Sequence, residues 1–140
     1  MKRLALLYSG QPRHLKECRQ NHFLNFQKVN LDWEIDIFAH IWHKDNQDGS
    51  FFSDNYKNRG RWDSDLIQFI NDEWKPKKML IEEPKEFKSI WKPDIRFPHP
   101  INNIISMFYS LEKVNQLKQE YEIEKKFKYD CVVRLRTDEF

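Results

Sequence analysis

The densest grouping of chemistry-bearing residues is Arg134-Leu135-Arg136-Thr137-Asp138-Glu139, two arginines and two acids within six positions. Charges so placed at the end of an apolar run do not belong in a core. A carboxylate there can hold a hard divalent cation, and a cation so held bridges the two phosphates of a nucleotide sugar. Arg136 can neutralise phosphate directly through its bidentate fork. The competing reading is a structural ion pair of Arg134 or Arg136 with Asp138 or Glu139. A second candidate is Ser9-Gly10-Gln11-Pro12-Arg13, whose backbone amides and Arg13 can face an anionic or nucleotide ligand, with Gly10 permitting close approach. An ordinary strand-to-helix turn has the same composition. The chain contains neither a Walker motif nor Gly-x-Gly-x-x-Gly, which disfavours P-loop and dinucleotide-binding readings.

Between these corners lies His40-Ile41-Trp42-His43. Strand alternation sends residues three apart to opposite faces, so the two histidines do not converge on a zinc ion. Trp42 reads equally as a stacking surface for a base or sugar and as a core residue. Asn102, Asn103, Ser106 and Ser110 can meet a sugar hydroxyl, or serve as caps and solvated positions.

The elements that must position these residues follow from hydrophobic patterning. Leu4 to Tyr8 is a continuous apolar run bounded by Ser9-Gly10-Gln11-Pro12, as expected of a strand covered on both faces. His14 to about Lys28 carries apolar residues at helical spacing. Ile35 to Trp42 predicts a second strand, and Met79-Leu80-Ile81 a short third one. Between them, residues 44–61 have no sustained period and predict a long excursion loop. Asp63 or Ser64 caps a helix that Pro76 ends. Four prolines between Pro84 and Pro100 forbid a long helix there. From Asn102 or Asn103 a long helix begins, with Ile104, Ile105, Phe108, Leu111, Val114, Leu117 and Tyr121 on the stripe expected to be buried. Tyr129 to Leu135 forms a fourth strand.

Strands alternating with helices predict an α/β fold, a mostly parallel sheet with helices on both faces, Rossmann-like in kind. Ligands of such sheets sit at the carboxyl ends of the strands. That rule selects Ser9 to Arg13, His40 to Asp45, and Arg136 to Glu139.

Composition sets the boundaries. A chain of 140 residues, 39% hydrophobic and 15% aromatic, supports one core and one domain. Charged residues are 33% of the chain yet nearly cancel to a formal +2, with signs interleaved, which argues against a nucleic-acid partner. No apolar run reaches the length of a membrane span. Cys18 and Cys131 form no ligand or disulfide pattern and read as buried thiols of a reducing cytoplasm.

Four blocks in order, Leu6 to Arg13, Asp36 to Trp42, Ser106 to Leu111 and Tyr129 to Asp138, resemble those of bacterial and viral glycosyltransferase-like proteins of the GT-A type. The resemblance spans nearly the whole chain. It implies a nucleotide-sugar-binding half domain, with Ser9, Gly10, Gln11, Arg13, Trp42, Arg136 and Asp138 around the donor. It also implies an Asp-x-Asp motif holding Mn2+ or Mg2+ against the diphosphate. Asp138 matches the second acid of that motif, while Arg136 stands in place of the first. A further C-terminal half would bind the glycan or small-molecule acceptor and supply the catalytic base. The rival expectations are a non-catalytic binding or scaffold module derived from the same fold, and another phosphate-handling α/β transferase.

Overall fold

The computed structural model describes residues 1–12, 15–28, 32–43, 65–87 and 101–137. Four strands, β1 (Lys2–Gly10), β2 (Trp33–Trp42), β3 (Lys78–Glu82) and β4 (Cys131–Leu135), form one sheet in the order β3-β2-β1-β4. Every neighbouring pair is parallel. β1 is central, which is why its residues Leu4 to Tyr8 are all buried and why the run shows no polar alternation.

The connections follow the expected alternation. α1 (Leu15–His22) continues as a π-helical stretch, Phe23–Lys28. α2 (Leu66–Phe69) likewise runs on as a π-helical turn, Ile70–Trp74, stopped by Lys75 in the left-handed region at φ 47° just ahead of Pro76. α3 (Ile101–Lys125) is the long helix. The two faces of the sheet are covered separately. Leu4, Leu6, Tyr8, Ile37, Ala39 and Ile41 pack against Leu15 of α1 and against Leu66, Ile70 and Trp74 of α2 and its extension. On the other face Ala5, Leu7 and Phe38 pack against Val114, with Leu117, Tyr121 and Tyr129 flanking. Burying each of the leucine, isoleucine, valine and phenylalanine side chains among these contributes roughly 1.5–3 kcal/mol. The doubly covered α/β sheet is thus present. No helix among the described residues is long and apolar enough to cross a membrane.

α3 departs from its predicted stripe. Phe108 is 61% exposed, whereas the buried positions are Ser110, Val114, Lys118 and Glu122. Polar residues occupy the inward line because each finds a partner there, so their burial leaves no unpaired group. Lys118 Nζ sits 3.1 Å from Glu122 Oε2, and the Glu122 carboxylate also accepts the Tyr129 backbone N–H at 3.0 Å. That second bond ties the end of α3 to the approach to β4. Two further contacts set where β4 begins. The Tyr129 hydroxyl donates to buried Asp36 at 2.6 Å, and Asp130 accepts the Arg3 amide at 2.7 Å. Tyr129 and Asp130 therefore precede the ladder and anchor it, rather than joining the strand as predicted. Cys18 is buried and Cys131 half-buried, both as free thiols. The predicted loop over 44–61 lies outside the described residues, as do positions 88–100 of the proline-rich stretch.

Candidate functional site

β1 to β2 to β3 steps outward in one direction, and α3 then carries the chain back across the sheet to place β4 on the free side of β1. The strand order therefore reverses between β1 and β4, and the carboxyl ends of those two strands flank the point of reversal. Tyr8 is the register partner of Leu135, so the corner after Gly10 and the corner after Leu135 are side by side. They are joined directly: the Thr137 hydroxyl, 1% exposed, donates to the Gln11 carbonyl at 2.5 Å.

Gly10, the last residue of β1, holds φ +114°, a conformation L side chains rarely adopt, while the space where a Cβ would sit is open. Ser9 is the register partner of His40 and shares the α3-side face with Ala5 and Leu7, its alternate neighbours. Arg136 is exposed beside Thr137. Of the predicted site residues, Ser9, Gly10, Gln11 and Arg136 are thus brought to one corner of the sheet. Arg13 and Asp138 lie outside the described residues. Trp42 ends β2, one strand away, and is 3% exposed with its ring stacked on Tyr109 at 5.4 Å. Among the described residues no group of His, Cys, Asp and Glu side chains is assembled to hold a metal ion. The described part of the corner offers hydroxyl, carbonyl and amide groups and a guanidinium, but no carboxylate.

A second polar assembly, which the sequence reading did not find as a unit, lies where β2 and β3 end beneath the first half of α3. His40, 0% exposed, has Nδ1 2.6 Å from Ser110 Oγ and Nε2 3.2 Å from Glu82 Oε1. The Tyr109 hydroxyl donates to the Glu82 carboxylate at 3.0 Å and accepts from Lys85 Nζ at 2.9 Å. Lys85 also pairs with Glu82. Burial pushes the Glu82 pKa upward, but Lys85, Tyr109 and His40 together outweigh it and hold the carboxyl below its ordinary value. Burial pulls His40 down from 6.5, and Lys85 and Lys113 act in the same direction against the opposing influence of Glu82. The rim is completed by Phe87, whose ring lies 5.3 Å from that of Tyr109 and whose amide donates to Asn102 at 2.7 Å. Ser106 donates to the Asn102 carbonyl and so is occupied within its own helix.

Several of its members are marked in the sequence: the strand-end rule selects His40, and Ser110 is among the residues able to meet a sugar hydroxyl. Glu82 is the last residue of β3, and the strand-end rule applied to the third strand selects it. Tyr109 falls within the Ser106 to Leu111 block of the resemblance, which gives it no role.

Comparison with protein-family models, with characterised proteins and with solved structures returned no match to this chain.

Proposed function

We propose that the chain is the donor-binding portion of a glycosyltransferase, binding a nucleotide-diphospho-sugar at the joined corners of β1 and β4. The observation that carries this reading is the Thr137–Gln11 hydrogen bond across the point where strand order reverses. It aligns the Gly10–Gln11 turn with Arg136 in the location where parallel α/β sheets receive nucleotides. In this reading the glycine turn lets a phosphate approach the backbone, and Arg136 meets the diphosphate through its planar fork. Neutralising charge on the departing nucleoside diphosphate is the main aid these residues give to glycosyl transfer. Ser9 faces the α3 side of the same corner and is placed for a hydroxyl of the ligand. Trp42, 3% exposed and stacked on Tyr109 one strand away, presents no free ring to a base.

The test is isothermal titration of uridine, guanosine and cytidine diphosphates against the intact chain, with and without Mn2+. One nucleotide is expected to bind, and Arg136→Ala to weaken it by about tenfold, the loss of one charge-assisted contact of roughly 1.4 kcal/mol. Absence of binding by all three, in both conditions, rejects the reading. A manganese requirement would place Asp138 at the metal as the GT-A resemblance implies.

A further inference from the structure

The assembly around His40 is not part of the proposed donor site, and its polar groups are interlocked. Its parts come from three elements: His40 from β2, Glu82 from the end of β3, and Tyr109 and Ser110 from α3. An ionised Glu82 can only accept, so the proton of the neutral imidazole belongs on Nε2, and Nδ1 then accepts the Ser110 hydroxyl. In that form the neutral ring bridges sheet and helix with every polar atom satisfied.

We infer that His40 is a proton-operated latch, whose protonation releases the first half of α3 from the carboxyl ends of β2 and β3. A second proton, on Nδ1, turns that nitrogen into a donor, so the Ser110 hydroxyl must rotate to accept it. It also puts a full charge on a ring with no solvent contact. The groups facing this charge are one carboxylate, Glu82 from β3, and two ammoniums, Lys85 after β3 and Lys113 on α3. The Tyr109 phenol also faces it, while from β1 the register neighbour is uncharged Ser9. Glu82 is already shared with Lys85 and Tyr109, so it compensates an imidazolium incompletely. The aromatic contacts of the ring, 4.8 Å from Trp42 and 5.8 Å from Tyr109, add no charge to oppose it. Opening returns the ring to water, where an imidazole titrates near 6.5, and so proton uptake drives opening. Ser9 is the register partner of His40, hence loosening this wall reaches the rim of the candidate site. The latch does not rest on the nucleotide-sugar reading and is measured on the free protein.

The experiment is a pH titration of the intact chain from about 7.5 to about 5, following the imidazole resonances and amide hydrogen exchange by NMR. His40 is expected to remain neutral at a pH where an exposed imidazole is half protonated. Protection of the α3 amides around Tyr109 and Ser110, corrected for intrinsic exchange, should fall about tenfold per pH unit below about 6.5, as one linked proton requires. Amides near Glu122, at the other end of α3, should keep their protection over that range. His40→Gln retains hydrogen bonding without titrating and should abolish the pH dependence. The wild-type measurement stands alone if that variant does not fold. The latch is overturned if His40 titrates near 6.5 with α3 protection unchanged, or if loosening begins only in the carboxylate range below about 5.

Discussion

Replacing Thr137 by valine removes a hydrogen bond that joins the two corners of the candidate site. The side chain is 1% exposed and nearly isosteric with valine, so packing is preserved and only the hydroxyl is lost. That hydroxyl donates to the Gln11 carbonyl at 2.5 Å. A net contribution of about 1 kcal/mol is typical of such a bond, and a stranded buried carbonyl raises the cost towards about 3 kcal/mol. Gln11 is half-buried rather than fully enclosed, so the lower figure is the one expected. The expected loss is therefore about 1 kcal/mol in urea unfolding at unchanged m-value, or about 4 °C in Tm for a chain of this size. Nucleoside diphosphate affinity should fall with it, because Gly10 and Gln11 lose their tie to the segment after β4 that carries Arg136. A Thr137→Val protein equal to wild type in both stability and affinity would refute the claim that this bond holds the corner in shape. A Thr137→Ser protein, which keeps the donor, should restore the affinity.

Other perturbations test neighbouring parts of the argument. Gly10→Ala should destabilise by about 1–2 kcal/mol in urea unfolding through its φ of +114° alone, since a Cβ meets nothing within 4 Å; a stabilised variant would show that the turn is not held in that conformation. Tyr129→Phe removes the 2.6 Å bond to Asp36, leaving that 4% exposed carboxylate with Lys77 at 3.6 Å. About 2 kcal/mol should be lost in urea unfolding, the usual worth of a hydrogen bond to a charged group. For Glu122, burial raises the pKa but the Tyr129 amide, Lys118 and Lys128 outweigh it and hold it below 4.5. A carboxyl with a depressed folded-state pKa stabilises above its unfolded value, and that stability drains as pH falls from about 4.5 through the folded value. Glu122→Gln should flatten the stability profile in that acid window as measured by urea midpoints, while leaving the profile around pH 6 unchanged.

The parts of the fold most legible in the residues were those where one physical signal dominates. Leu4 to Tyr8 has no polar alternation, and a strand buried on both faces at the centre of the sheet is what that pattern demands. The turn after it was marked by Gly10 and Pro12, and the structure adds the positive φ that explains the glycine. The inward line of α3 was hidden for the opposite reason. Ser110, Lys118 and Glu122 are polar, and polarity predicts solvent unless the partner is known. Their partners, His40 for Ser110 and the Tyr129 amide for Glu122, lie 70 and 7 positions away, so no local periodicity records them. Phe108 was drawn into the buried stripe by its hydrophobicity, although the helix is rotated to satisfy its polar neighbours instead. Glu82 was legible in principle, since the strand-end rule that selected Ser9 and Arg136 applies to β3 as well.

The candidate site owes its position to topology more than to any motif. Because β4 returns to the far side of β1, α3 must span the sheet from the β3 edge, and its packing falls on β1, β2 and β3. The β4 flank of that face is left with Val132 44% exposed and Arg134 exposed. At the carboxyl end of this exposed strip lie the corners after β1 and β4. A nucleotide lying along this strip would meet Arg136 and the Gln11 amide. Charge on Arg134 supports that direction of approach, because it sits opposite Leu7 in register and so on the α3 side of the sheet. Reversing it with Arg134→Glu should weaken nucleoside diphosphate binding by a factor of a few and more strongly at low salt, whereas stability should change by under about 0.5 kcal/mol. Equal binding by the variant at low and high salt would place the ligand on the opposite face, above α1.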